Sequence, residues 1–421
     1  MVLGLIIAGI IQLKKLPIDA LPDITSNQVQ IITVSPALAA PEVERLVTFT
    51  IEQFCSNIQG ITEMRSISRF GLSVVTLVFD DHSDIYRARQ QVAERLTYIK
   101  DEIPQGAGSP TLAPLTTGLG EVYQYIVKPA PGYESKYSLA DLRSIQDWVI
   151  RKQLLGTPGV ADVSSFGGHL KQYEVAFKTE KLNSMGLTVS DVFAALQKNN
   201  QNSGGAYIEK AGQILFIRTE GLIKDLSQIE NIVLKNSANG TPVFVRDVAT
   251  VQLGKAVRYG ALVDGSRGEV SGAVVLMLKG ANGMEVVETV KKRMEVIKKT
   301  LPEGVIVETF YERSKMVQRS IDTVSKNLLE GALIVLFVLV LFLGNVRAGL
   351  IVASVIPLAM LFAIIMMNFF GVSGNLMSLG ALDFGLIVDG AVIIVEAVLH
   401  QLHHKKIPNE VTVLPQNQLD H

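Results

Sequence analysis

The chain has a single cysteine, Cys55, which excludes an intrachain disulfide and any cysteine-based zinc site. Cys55 follows Phe54 on an apolar helical face and reads as a small buried hydrophobe. An excess of charge of one sign is missing as well: 39 basic against 40 acidic residues leave a formal net charge of -1. That balance gives no electrostatic footprint for nucleic acid. There is no glycine loop of the phosphate-cradling kind and no nucleophile–base pair, so an enzyme is the least supported class. Residues 1–13 lack the basic leading segment and small-residue cleavage site of a signal peptide.

What the chain does have is apolar residues, 48% of 421, too many residues for one compact domain. The excess sits in residues 1–13 and 328–399, and the long middle reads as ordinary soluble sequence. Residues 375–402, NLMSLGALDFGLIVDGAVIIVEAVLHQL, organise the rest. A span of 376–399 exceeds the roughly 20 residues a membrane helix needs. It nevertheless carries Asp383, Asp389 and Glu396 and no base. A carboxylate near the bilayer centre costs on the order of 3 kcal/mol, so partners or protons must neutralise these acids. The pattern points to a proton or ion path.

Depth and helical phase rank the three. Asp389 falls near the middle of the span, Asp383 nearer the first end and Glu396 nearer the other. Asp389 and Glu396, seven apart, share a face, and Asp383 sits about 120° away. Gly380, Gly385 and Gly390 thin the helix and are expected to let a neighbour approach closely. The alternative is that the acids only face a bundle interior and are hydrogen-bonded there, with Glu396 close enough to the end to snorkel to the interface.

In chain order, residues 1–15 read as a first transmembrane helix missing its first turns, ended by the two prolines of LPIDALPDI. Residues 27 to about 326 alternate strand and helix patterns. Strands are expected at 27–34, on either side of Phe70–Gly71 within 60–80, and at 121–127, 160–166 and 172–177. Helices are expected at 41–58, 84–102, 139–155 and 188–198, the last with a capping-box start at Thr188 and Asp191. QGITEMRSIS at 59–68 and PGVADVSSFG at 158–167 each follow a helix and open a strand pair. IPQG at 103–106 and LPEG at 301–304 each close a charged helix. Two diverged βαββαβ units account for both echoes. The second is interrupted by a β-rich insertion and completed by a strand from 269, a helix over 284–300 and a strand from 305.

An amphipathic helix from 314 then runs into a second span at 328–344. A third span at 348–370 contains Pro357, which kinks it unless neighbours compensate. The fourth carries the acids. Arg347 and the cluster His403–His404–Lys405–Lys406 fall on one side of the membrane, cytoplasmic by the positive-inside rule. The large domain then lies outside, in a periplasm, and 403–421 forms a cytoplasmic tail. The fold class is thus an α+β membrane protein.

Other clusters have plainer readings. Asp80, Asp81, His82 and Asp84 resemble a hard-metal cluster but suit a turn that caps the next helix. His169 stands alone in a glycine-rich turn. Met64, Met185, Met277, Met284, Met294 and Met316 show no short-spaced pairing and suit gap-filling.

LPIDALPDITSNQVQI, GLGEVYQY, DLRSIQDWVIRKQL, NLLEGA, FLGNVRAGLI and NLMSLGALDFGLIVDGAVIIVE together resemble the resistance–nodulation–division efflux pumps, nearest the heavy-metal branch of cobalt–zinc–cadmium type. The resemblance implies a homotrimeric proton/metal antiporter of a bacterial inner membrane. It implies a periplasmic adaptor and an outer-membrane channel as partners, metal ions and protons as substrates, and no cofactor. It maps a first porter subdomain onto 27–120, a second onto 121–181 with 258–323, and a docking subdomain onto 182–257. The outer domain is then a pair of ferredoxin-like repeats carrying an inserted β-rich docking subdomain.

The family's proton-relay acids match Asp383, Asp389 and Glu396; the metal ligands are unknown. Copper and silver pumps of this branch carry an apolar residue where Asp383 stands and a methionine where this chain has Ile387, which favours divalent zinc, cobalt, cadmium or nickel. Met377 occurs in both kinds. The resemblance further implies a second, similar half that supplies substrate ligands and the acids' partners, so the chain reads as an N-terminal fragment that does not pump unaided. Rival readings are a copper/silver or organic-amphiphile exporter, a non-transporting remnant, and a membrane receptor with a periplasmic binding domain.

Overall fold

A computed structural model describes the chain except residues 1, 16–17, 20–22, 37, 105, 211, 237–239, 259, 266–267, 344–345, 371–373, 376–383 and 405–421. Two antiparallel sheets dominate its outer part. In the first the strand order is Ile61–Arg69, Leu72–Phe79, Asn27–Val34, Thr111–Leu112. In the second Val160–Gly167 and Glu121–Pro129 flank Glu269–Met277, with Val305–Glu312 beyond Glu121–Pro129. Numbered along the chain, the four main strands of each sheet lie in the order 4-1-3-2. That is the arrangement of a split βαβ, or βαββαβ, unit.

Sequence period explains each layer. In Leu72–Phe79 the residues Ser73, Val75, Leu77 and Phe79 are buried, every second position, as a sheet with one covered face requires. In helix Ile85–Glu102, started by Asp84 capping Tyr86 N, the buried residues are Ala88, Val92, Leu96 and Ile99, a 3.6-period stripe. They close on Val29, Ile31 and Val75 of the sheet and on Val47, Ile51 and Cys55 of the preceding helix. In the second unit Tyr125, Val163 and Val275 meet Ile150, Leu154, Val290, Met294 and Ile297.

The first helix of each unit contains a π-helical turn, Glu44–Thr48 and Gln146–Ile150. Each turn carries a buried polar residue bonded to its own sheet. Thr48 Oγ1 lies 2.7 Å from Ser68 Oγ and 2.8 Å from Ser73 Oγ. Gln146 accepts from Tyr125 Oη at 2.9 Å and donates to Ser165 Oγ at 3.3 Å.

One expected strand belongs elsewhere. The 172–177 strand, read as part of the second unit's 121–181 segment, is Lys171–Phe177 and pairs along its length with Ala249–Lys255 in the insertion. The cause is the turn Gly167–Gly168, with φ of 66° and 65°. It directs the chain away from the sheet and leaves the place beside Val160–Gly167 to Glu269–Met277. A Cβ on Gly167 would stand 2.1 Å from Val270 O, so glycine is required there. The insertion has its own small core around Ile229, Ile232, Val245 and Val251. It also bears a hairpin, Ser203–Lys210 with Gln213–Thr219.

Four long helices form the other part: Val2–Lys15, Arg313–Leu343, Val346–Phe369 and Phe384–His404. Val346–Phe369 is central and touches the other three. It stays helical through Pro357. Among the described residues, Gly349–Phe369 is the one helix long and apolar enough to cross a membrane, and Val2–Leu13 is apolar but shorter. The other expected spans, 1–15, 328–344 and 376–399, are helical where described but do not reach that measure over those residues.

Candidate proton-path site

The acid-bearing helix is described over Phe384–His404, reaching five residues beyond the expected end at 399. Residues 376–383, with Asp383 and Gly380, lie outside the described residues, as does the tail from 405. Ala391, Val392 and Val395 pack around Val352 and Ile356 of the central helix, together with Ala332 of Arg313–Leu343. Small and β-branched side chains at i, i+1 and i+4 make a narrow seam that two helices can share.

Asp389 and Glu396 lie away from that seam. At 100° per residue both stand roughly 100° round the helix from it and within about 20° of each other, about 10 Å apart along the axis. Both are exposed in this chain, and Ile393, within about 60° of them round the helix, is 66% exposed. The acids therefore occupy an open apolar flank. In a bilayer such a flank needs either a polar partner or protons.

Among the described residues, none outside the helix's own backbone and the chain neighbours places an atom within 4 Å of the position a Cβ on Gly390 would take. Gly385 lies within the described helix. Close packing is found at two other glycines. A Cβ on Gly9 would lie 2.7 Å from Leu361 Cβ, and one on Gly349 would lie 3.0 Å from Val340 Cγ2. Asn368 Nδ2 donates to Gln12 O at 2.8 Å, joining the first helix to the end of the central one. Just beyond these ends, Ile18–Asp19 pairs in parallel with Gly374–Asn375. The available signals were a glycine inside the short apolar run and a lone polar Asn368 closing an uncharged span.

The other candidates take their plainer roles. His82 N donates to Asp80 Oδ1 at 2.9 Å and Asp84 caps a helix. Among the described residues no group of three or more His, Cys, Asp or Glu is placed to hold a metal ion. Met277 and Met294 are core residues, and Met64 packs against the first unit's core. Cys55 is fully buried, which pushes its thiol up to about 11. His169 is held below its usual range by partial burial and by the nearby charges of Lys255 and Arg258.

Comparison with known proteins decides the family. The model of the AcrB/AcrD/AcrF family matches residues 1–418. The chain belongs to that family. Within it, the chain is 46% identical over 407 residues to the cation efflux system protein CzcA of Alcaligenes sp. strain CT14, covering 96% of this chain and 38% of that protein. It is 42% identical over 428 residues to the nickel and cobalt resistance protein CnrA of Cupriavidus metallidurans, covering 95% and 40%. Among solved structures, the X-ray crystal structure of a heavy metal efflux pump, crystal form II, matches with a TM-score of 0.85 at 35% identity, over 95% of this chain and 40% of that one. The resemblance to heavy-metal pumps of the resistance–nodulation–division type therefore holds across almost the whole chain. The chain spans about two fifths of the length of these relatives.

Proposed function

We propose that this chain is the amino-terminal portion of an inner-membrane pump that exports divalent heavy-metal cations, of the zinc, cobalt, cadmium and nickel class, in exchange for protons. It is a secondary active transporter and not an enzyme. The observation that carries the proposal is the open flank of Phe384–His404, where Asp389 and Glu396 stand exposed about 100° round the helix from a packed seam. Names of relatives at 42% to 46% identity that print cation efflux and nickel–cobalt resistance support the substrate class. Asp383 and Ile387 favour divalent ions over copper or silver.

In this mechanism Asp389 takes a proton from the periplasmic side, becomes neutral and releases it inward when its surroundings change. Burial raises a carboxyl pKa and a cationic partner lowers it. A helix that alternates between those surroundings thus loads and unloads the proton. Asp383 and Glu396 extend the path towards either face. Helices outside this chain cover the flank and bring the partner charges. The four helices lie in the inner membrane and the two α/β units, the porter subdomains, face the periplasm. The insertion serves as a docking subdomain in a homotrimer that works with a periplasmic adaptor and an outer-membrane channel.

The test is growth of a zinc- and cobalt-sensitive host expressing the pump that carries this sequence. The unaltered protein restores growth on both metals, and Asp389→Asn, at equal protein level, does not. Full resistance in that variant would remove Asp389 from the mechanism, and resistance to copper or silver alone would overturn the divalent assignment.

A further inference from the structure

Where the second α/β unit meets the membrane-directed helix there is a cleft of about 730 Å³, lined among others by Tyr123, Lys291, Glu312 and Lys315. One of the carboxylates lining it is nearly buried. The Glu312 side chain is only 6% exposed and is the last residue of strand Val305–Glu312, one position before helix Arg313–Leu343 begins. Lys291 Nζ, from helix Gly283–Lys298, reaches Glu312 Oε1 at 2.8 Å. Lys315 Nζ, from the first turn of the following helix, reaches Oε2 at 3.3 Å, and Ser314 Oγ donates to Oε1 at 2.6 Å. The next residue, Arg313, is 5% exposed and donates through Nη1 to Leu119 O. Burial raises the Glu312 carboxyl, but the hydrogen bonds from Lys291, Ser314 and Lys315 outweigh it and hold the group below its usual range. The same bond holds Lys291 above its usual range. The group is therefore charged and paired.

Helix Gly283–Lys298 makes a second connection. It touches strand Ile18–Asp19, which pairs with Gly374–Asn375, the short strand preceding the acid-bearing helix in the chain. One outer-domain helix thus bears on both routes into the membrane, the start of Arg313–Leu343 and the approach to Phe384–His404. We propose that Glu312, held by Lys291 from its own unit and by Ser314 and Lys315 from the membrane-directed helix, is a positioning joint, fixing the angle between the second α/β unit and the membrane helices so that movement in one is transmitted to the other. A mostly buried, doubly paired carboxylate suits this role because its charge-assisted bonds are directional. The transport consequence rests on the function proposed above; the geometric one does not.

Lys291 is half exposed at 50%, so Lys291→Gln removes the ion pair without opening the core, and Lys291→Arg keeps the charge. Spin labels at Lys299 and Leu333, both exposed, report the angle through their distance distribution; buried Cys55 stays unlabelled. The unaltered chain and Lys291→Arg are expected to give one narrow distribution and Lys291→Gln a broad one. In the reconstituted pump, Lys291→Gln is expected to lower metal export about tenfold while proton uptake stays within about twofold, a loss of coupling in the usual range for such joints. An unchanged distribution in Lys291→Gln, or equal loss of proton and metal movement, overturns the joint. Failure of the unaltered pump to exchange protons for metal would instead overturn the proposed function and leave the distance result standing.

Discussion

Gly9 and Leu361 meet so closely that a Cβ on residue 9 would sit 2.7 Å from the Leu361 Cβ. The first helix and the central helix therefore touch nearly backbone to side chain, and Asn368 ties their ends together through Gln12 O. Gly9→Val inserts three carbons where none fits. We expect it to destabilise the helix bundle by about 1–3 kcal/mol, the range for overpacked sites, with Gly9→Ala costing less. Thermal unfolding in detergent measures this, and an unchanged midpoint for Gly9→Val would show that the helices do not pack this way.

Gln146 is fully buried and accepts the Tyr125 hydroxyl. Gln146→Leu keeps the volume and strands that hydroxyl, whose own ionisation burial already opposes. The expected cost is about 1–3 kcal/mol, the penalty of a buried donor without a partner. Tyr125→Phe made together with Gln146→Leu should cost less than the two singly, because the pair is coupled. Strict additivity in urea unfolding would contradict the bond.

Much of this was open to reading from sequence, for identifiable reasons. Asn27–Val34 and Leu72–Phe79 alternate because one face of the sheet is covered, and Asp84 and Thr188 mark helix starts because an unpaired N–H needs an acceptor. The partner of Lys171–Phe177 was not legible, since pairing across 72 residues leaves no local trace and the deciding feature is the φ of Gly167 and Gly168. The acids at 389 and 396 stood out by chemistry alone. Which side of their helix is packed did not, because Ala391, Val392 and Val395 are no more apolar than Ile393 and Ile394 on the open side.

The Asp141 carboxyl is held at about 2, below its ordinary 3.8, by hydrogen bonds from Lys171 and Ser138. It caps helix Leu139–Ile145 with Ser138 and pairs with Lys171 at the entry to the insertion. A depressed carboxyl stabilises the fold above its unfolded value. The contribution is complete above 3.8 and is lost as pH falls from there through about 2. Asp141→Asn should therefore be less stable than the unaltered chain at about pH 5, with the gap closing towards the lower value. Urea midpoints across that range measure it, and a gap independent of pH would contradict the assignment.

The most direct test of the proton path is proton movement itself, in proteoliposomes holding the full pump and a pH-sensitive dye. A zinc gradient across the unaltered protein should drive a counterflow of protons, and Asp389→Asn should abolish it while the protein still assembles. A zinc-driven proton signal of equal size in Asp389→Asn would contradict the central claim, leaving the acid helix as a structural element only.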